Sequence, residues 1–210
     1  MQRCHRLLAL GFALSMIAPI AHAAVITATA TLSGASENPA NGSPGTGTTF
    51  VVLDTTSHSL RVQVVFAGLV AGTTASHIHC CIAPPGNAGV ATTTPYFAGF
   101  PIGVTSGSYD QTFDTTLAST WNAPFITSSG GTPLGAEAAL AAGLAAGTAY
   151  LNVHSSTYPG GEIRGFLIPQ GTPPPLGSSA DIPTLSEWAM IGLILSLLAA
   201  GWLMLRRRTR

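Results

Sequence analysis

Short apolar segments that alternate with threonine and serine run through the middle of the chain. The clearest is Ile26–Leu32, in which apolar residues and threonines change places at every position, as expected of a strand with one buried face. Five further β-rich segments lie between glycine, proline or polar turns: 49–53, 60–66, 109–113, 150–154 and 162–168. The alanine-rich segment 134–144 predicts one short helix. Together these elements predict an all-β fold, an antiparallel β-sandwich with one short helix.

The start of the chain has the pattern of a secretory signal peptide. Residues 1–23 combine Arg3 and Arg6 with an uncharged, largely apolar stretch and end in Ala21-His22-Ala23, the small-residue pattern that signal peptidase cleaves. An uncleaved membrane anchor is the alternative. The apolar stretch 7–20 has 14 residues, however, and a helix of that length falls short of a ~30 Å hydrocarbon core.

The other end of the chain predicts a membrane span. Residues 188–205 form an uncharged run of 18 residues, long enough for a transmembrane helix. Arg206, Arg207 and Arg208 follow directly, and basic residues stay on the cytoplasmic side of a membrane. A buried core helix is the alternative, but such a helix does not end in a cluster of arginines. We therefore predict an exported, single-pass protein of the cell envelope with its domain outside the cytoplasm.

Without the predicted signal peptide and C-terminal tail, the remaining chain is acidic. Residues 24–181 contain two arginines against seven acidic residues, a formal net charge of about −5. Nucleic acid is therefore not an expected partner, because phosphate binding needs clustered cations. The predicted organisation is a signal peptide (1–23), one domain (24–168), a Pro/Gly/Ser linker (169–181) and a C-terminal tail (182–210).

A weak internal repeat concerns the histidines. Residues 68–79 and 143–154 are identical at six of twelve positions, and each copy has a glycine-containing turn followed by a strand that ends in histidine. His77 and His79 share one strand face, and His154 joins them if the repeats form adjacent strands. Three neutral imidazoles would be ligands for Zn or Cu(II), with Glu162 a candidate fourth ligand. The alternative is that these histidines hydrogen-bond across strands or line a polar groove.

The remaining candidate residues predict structural roles. Cys80 and Cys81 are the two cysteines that follow the signal peptide; they form either a vicinal disulfide or, if strand alternation separates them, free or metal-bound thiols. Glu162 and Arg164 are two positions apart and predict a structural ion pair. The sequence has no glycine-rich phosphate loop, nucleophile elbow or paired-carboxylate pattern, so we predict no catalytic residues and no enzymatic activity.

The residues just before the apolar tail bring a first resemblance. They read Ile182-Pro183-Thr184-Leu185-Ser186-Glu187-Trp188 and precede an apolar run and an arginine cluster. This order resembles the IPTL-type C-terminal protein-sorting signal of Gram-negative bacteria, one of the exosortase-type tails. The resemblance implies an exosortase-like sorting enzyme as a partner in the membrane, in addition to signal peptidase. It also implies that the domain is released or transferred to the surface after processing.

Two other segments bring a second resemblance. GLVAGTTASHIH (68–79) and GTAYLNVHSSTYPGGEIRGFL (147–167) resemble the signature stretches of the CHRD (chordin) domain family, and the similarity extends over most of residues 25–168. The resemblance implies a β-sandwich module of extracellular proteins, without catalytic residues. Our leading hypothesis is therefore a noncatalytic cell-surface or extracellular-matrix module with an unknown extracellular ligand. The alternative is a metal-binding redox or metal-sequestering protein that holds Zn or Cu through the three histidines.

Overall fold

The computed structural model describes residues 25–171 of the chain. The predicted signal peptide, the linker beyond residue 171, the sorting motif and the transmembrane helix lie outside the described residues. Within residues 25–171, no helix combines the length and the apolar character that crossing a membrane requires.

Eight strands and two α-helices make up the described domain. All pairings between the strands are antiparallel, which confirms the prediction of an all-β antiparallel fold. The strands are β1 (Val25–Ser33), β2 (Thr46–Asp54), β3 (Ser59–Ala67), β4 (Thr73–His79), β5 (Gly107–Asp114), β6 (Tyr150–Ser155), β7 (Ile163–Phe166) and β8 (Ile168–Gln170). The helices are α1 (Ala123–Ser128) and α2 (Pro133–Ala145).

The strands form one curled sheet rather than two separate sheets. Their order is β4-β6-β7-β1-β2-β3-β5, and β8 pairs with β1 beside this path. A single register pair, Ser33 with Arg164, joins β7 to β1. The two parts of the sheet are therefore weakly coupled along the backbone, but their apolar side chains belong to one core. The predicted sandwich thus appears in a sandwich-like form, with the layers connected at one edge.

The core follows from the alternation seen in the sequence. In β3, Leu60, Val62 and Val64 are at most 1% exposed, whereas the side chains between them face outward. Leu151 and Val153 of β6 are fully buried in the same core. Burying each such side chain contributes on the order of 1.5–3 kcal/mol.

Helix α2 is the helix that the sequence predicts. It begins after Thr132, whose side-chain oxygen accepts a hydrogen bond from the Gly135 backbone N–H at 3.0 Å, and Pro133 suits the first helical turn. Leu140 and Leu144 are fully buried against the sheet. Helix α1 was not predicted, because six residues are too few to show a helical period.

Strand β8 extends the domain past its predicted boundary. Pro169 and Gln170, predicted to begin the linker, pair with Ala28 and Thr27 of β1. All three residues of β8 are exposed. Proline lacks a backbone N–H, and a short exposed edge strand is a position in a sheet that tolerates it.

Candidate functional site

The histidine cluster (His77, His79 and His154) is built by the pairing of β4 with β6. The register places His77 opposite Asn152 and His154 opposite Ala75, so all three histidines lie on the same face of the sheet. Because Ala75 is small, the ring of His154 has room to reach diagonally toward His77. The centroid of the His77 ring lies 4.7 Å from those of both His79 and His154.

The nitrogens of the histidine cluster converge. One ring nitrogen from each histidine lies within 4.8 Å of the other two. His77 and His154 are only 6% and 7% exposed. The structure thus brings together the three histidines that the repeat suggested, while metal binding by them stays a prediction.

Backbone carbonyls fix the orientation of two of the rings. Nδ1 of His79 lies 2.8 Å from the Ala88 carbonyl oxygen, and Nδ1 of His154 lies 3.0 Å from that of Pro159. A carbonyl only accepts, so each Nδ1 must carry the hydrogen and each Nε2 the free lone pair. These two Nε2 atoms and Nδ1 of His77 are buried without a hydrogen-bond partner among residues 25–171.

Burial keeps the histidine cluster uncharged at neutral pH. Desolvation, assisted by the neighbouring His154 and His79, lowers the pKa of His77 to about 3. Burial likewise lowers the pKa of His79 to about 4, and it also lowers the pKa of His154. Neutral imidazole is the form that binds a metal.

An aromatic and a guanidinium group extend the site beyond the histidines. The Tyr150 ring stacks on His79 with centroids 4.6 Å apart and an interplanar angle of 8°. Cζ of Arg164 lies 4.8 Å from the centroid of Tyr150. Arg164 is 1% exposed and donates to the carbonyls of Ser36 and Pro85 at 2.6 and 2.9 Å and to Oδ1 of Asn87 at 2.6 Å.

The ion pair predicted between Glu162 and Arg164 does not form. Arg164 lies instead 3.8 Å from a carboxylate oxygen of Glu37. The Glu162 carboxylate accepts from the Ser43 hydroxyl at 2.6 Å and from the Val70 backbone N–H at 2.7 Å. The prediction was wrong because it applied strand alternation to Glu162, and β7 begins only at residue 163.

The structure does not bring Glu162 to the histidine cluster as a fourth ligand. Its carboxylate binds Ser43 and Val70, and the group of converging ligand atoms consists of the three histidines alone within residues 25–171. Glu37 is the acidic residue that sequence reasoning missed. Burial raises its pKa to about 7, against the opposing effects of Arg164 and of a hydrogen bond from Asn152. Glu37 lies outside the strands, where no periodic pattern points to it.

Polar residues of β4, β6 and β7 therefore share a buried surface, here called the covered face: His77, His79, Asn152, His154 and Arg164. Each is buried or nearly so. Loop residues contact the side chains from outside the sheet, among them Ala88, Pro159 and Ser36. The covered face is thus a polar layer closed off by loops.

Cys80 and Cys81 lie immediately after β4 and are joined by a disulfide, the first of the two alternatives raised by the sequence. Cys80 is 6% exposed, whereas Cys81 is exposed. Both sulfurs pack on Gly143 of α2, where an added Cβ would collide with them. The described cluster of converging metal-ligand atoms does not include the cysteines.

A second surface lies on the other part of the sheet. Strands β1, β2, β3, β5 and β8 border a groove of about 1030 Å³, here called the open face. Its side chains include Thr29, Thr31, Thr48, Gln63, Val65, Asp110, Ile168 and Gln170. Val65 is 57% exposed and Ile168 56%, so this face is open to solvent.

Comparison with known proteins gives one result. No curated protein and no solved structure matches the chain significantly. The family model of the CHRD domain matches residues 28–167, from within β1 to the residue after β7, and thereby includes all five residues of the covered face. The match spans well over half of the chain and confirms the resemblance seen in the two signature segments. The chain therefore belongs to the CHRD domain family.

Proposed function

We propose that this protein is an exported, noncatalytic module of the cell surface or extracellular matrix, held at the membrane by a C-terminal sorting tail that is then processed. The observation that carries the proposal is the position of the CHRD match. Residues 28–167 match the domain, while the segments on either side have the patterns of a signal peptide (1–23) and of a sorting tail (182–210).

The composition of the domain supports an extracellular location. Its described surface is solvated mainly by threonine, serine, asparagine and backbone, with few charges. The disulfide between Cys80 and Cys81 also supports an oxidising compartment, since disulfides are rare in the cytosol.

The export part of the proposal is tested by the termini of the protein made by Gram-negative cells. The full chain is expressed with an epitope after Arg210, in a strain that has the sorting enzyme and in one that lacks it. Mass spectrometry of surface material is expected to find Ala24 as the first residue and no C-terminal epitope. In the strain without the enzyme, the epitope is expected to stay with the membrane fraction.

Two variants locate the processing signal. Pro183→Ala, within the sorting motif, is expected to leave the epitope attached in both strains. Leu176→Ala, in the linker before the motif, serves as the matched control and is expected to be processed normally. An intact C-terminus on all surface-associated protein would contradict processing, and cytoplasmic protein that retains Met1 would contradict export.

The second candidate function is that of a metal-binding redox or metal-sequestering protein. The observation that favours it is the convergence of three neutral histidines. It requires first that the histidine cluster hold an ion, which is a separate question from where the protein resides.

A further inference from the structure

Three of the seven buried side-chain atoms without a hydrogen-bond partner in residues 25–171 belong to the histidine cluster. Nδ1 of His77, Nε2 of His79 and Nε2 of His154 are all buried without a hydrogen-bond partner among residues 25–171. Most buried polar atoms in native proteins are paired, and each unpaired one costs about 1–3 kcal/mol. Three such atoms in one cluster are placed where a single ligand can contact them all.

Hydrogen bonding across the strands does not account for the cluster. The rings of His77 and His79 meet edge to face at 70°, and those of His77 and His154 at 61°. The side-chain hydrogen bonds of His79 and His154 go to the backbone of loops and not to another histidine of the cluster. The lone pairs of the two Nε2 atoms are thus left without a partner within residues 25–171.

The loop carbonyls fix the orientation of two histidine rings in the way that is usual for histidines that bind a metal. A histidine ligand usually donates its second ring N–H to a carbonyl or carboxylate, which fixes the tautomer and turns the other nitrogen toward the metal. Ala88 supplies such a carbonyl to His79, and Pro159 supplies one to His154. These carbonyls come from two different loops, so two separate parts of the chain prepare Nε2 as the ligand atom.

We infer that the histidine cluster binds one divalent transition-metal ion, Zn²⁺ or Cu²⁺, through Nε2 of His79, Nε2 of His154 and a ring nitrogen of His77. Imidazole nitrogen suits both ions. Three nitrogens bound to one Zn²⁺ lie about 3.4 Å apart, whereas one ring nitrogen from each histidine lies within 4.8 Å of the other two. Rotation of the side chains by about 1 Å at the nitrogens closes this difference.

The surroundings favour a sheltered site. His77 and His154 are more than nine-tenths buried, and Tyr150 covers the ring of His79. The charge of Arg164, which would oppose a cation, is balanced in part by Glu37 at 3.8 Å. The inference does not depend on export, since protein that fails to reach the surface but folds would still bind the ion.

Metal binding is tested on the full chain purified in detergent, stripped with a chelator and dialysed against Zn²⁺ or Cu²⁺ separately. Elemental analysis is expected to find one equivalent of bound ion per chain for at least one of the two metals. The thermal midpoint is expected to rise with metal concentration, as it does for a ligand that binds only the folded state. Less than a tenth of an equivalent of either metal, with no shift in the midpoint, overturns the inference.

Matched variants assign the ligands. His79→Gln and His154→Gln are each expected to weaken binding by at least about 100-fold, since loss of a supporting partner alone costs 10–100-fold. His58→Gln is the control: Nδ1 of His58 lies 3.0 Å from the carboxylate of Glu137, outside the cluster, and its loss is expected to leave the stoichiometry unchanged. Equal binding by all three variants would show that the ion is adventitious.

A spectroscopic measurement covers the case in which a ligand variant does not fold. In ¹⁵N-labelled wild-type protein, His79 and His154 are expected to be Nδ1–H tautomers before metal is added, with their Nε2 resonances shifting on addition of Zn²⁺. Shifts confined to other histidines, or an Nε2–H tautomer at both positions, would overturn the assignment.

Discussion

The open face and the covered face of this domain differ in how far their polar side chains are exposed to solvent. On the open face, Arg61 binds Asp110 through two hydrogen bonds of 2.8 and 2.7 Å, yet the two side chains are 47% and 45% exposed. On the covered face, Arg164 is 1% exposed and donates to Ser36, Pro85 and Asn87. The same residue type is thus paired at the solvent-exposed surface in one place and enclosed by the protein in the other.

The difference in burial shows on which face an unpaired polar atom costs free energy. Water solvates the open face, so its polar residues need no specific partner. On the covered face each polar atom must find a partner within the protein or remain unpaired at a cost. The atoms left unpaired there, in the histidine cluster, are therefore better evidence of a ligand than the larger groove on the open face.

The comparison between the two arginines gives the largest expected effect. Arg164→Met removes a buried guanidinium from the buried Glu37 carboxylate and from three loop acceptors, and we expect a loss of about 3–5 kcal/mol in the free energy of unfolding. Arg61→Met, the matched control, is expected to cost about 0–1 kcal/mol, as for exposed ion pairs. Urea titration of both variants makes the measurement, and equal losses would refute the contrast.

The second effect concerns the pH dependence of Glu37. Its folded-state pKa of about 7 lies above the ordinary value of 4.5, so the folded state holds a proton that the unfolded state has already lost. This stabilisation is fully present below about pH 4.5 and is lost as the pH rises through about 7. The loss amounts to about 3 kcal/mol at 1.36 kcal/mol per pKa unit.

The Glu37→Gln variant isolates that contribution. The other titrating groups, including the histidine cluster, are common to both proteins, so the difference between the two stability curves reports Glu37. We expect the variant to gain stability relative to wild type from pH 5 to pH 8, measured by urea titration at each pH. Parallel curves over this range would show that burial does not raise the pKa of Glu37.

A third effect concerns the contact between α2 and the disulfide. Gly143→Ala adds a Cβ that would collide with both sulfurs, and because the sulfurs are bonded to each other neither side chain can swing away. We expect a loss of about 1–3 kcal/mol, although Gly→Ala within a helix ordinarily stabilises by about 1 kcal/mol. Thermal unfolding measures the change. Gly42→Ala, with nothing within 4 Å of the added Cβ, is the control and is expected to change little.

The smallest effect is expected on the open face. Val65→Thr, at a position that is 57% exposed, is expected to change the free energy of unfolding by less than about 0.5 kcal/mol. Val153→Thr places the same hydroxyl in the core of β6, where the residue is fully buried, and is expected to cost about 1–3 kcal/mol. Chemical denaturation compares the two. A large cost at Val65 would mean that the open face is covered in solution.

The sequence predicts β1 and β3 well because each has one face in the core. The alternation in Ile26–Leu32 and 60–66 reappears in β1 and β3, and the spacing of His77 and His79 places both on one face. The repeat correctly suggested that His154 lies near them. These features depend on local periodicity, which a sequence displays directly.

The parts that could not be predicted depend on loops. Ala88 and Pro159 orient the histidine rings through their carbonyl groups, which every residue type carries, so no sequence signal distinguishes them. Glu37 is separated from Arg164 by 127 positions in the sequence. Likewise, Glu162 looked like a partner for Arg164 only because the exact start of β7 cannot be read from the residue pattern.

Strand β8 gives the domain a mechanical property. It has three exposed residues, pairs only with β1 and ends at Gln170, next to the segment that leads toward the C-terminus. A pull applied at residue 171 therefore acts first on β8. Peeling this strand away extends the chain by about 10 Å without opening the apolar core. Within residues 25–171, β8 is thus expected to yield to such a load before the strands that pack on the core.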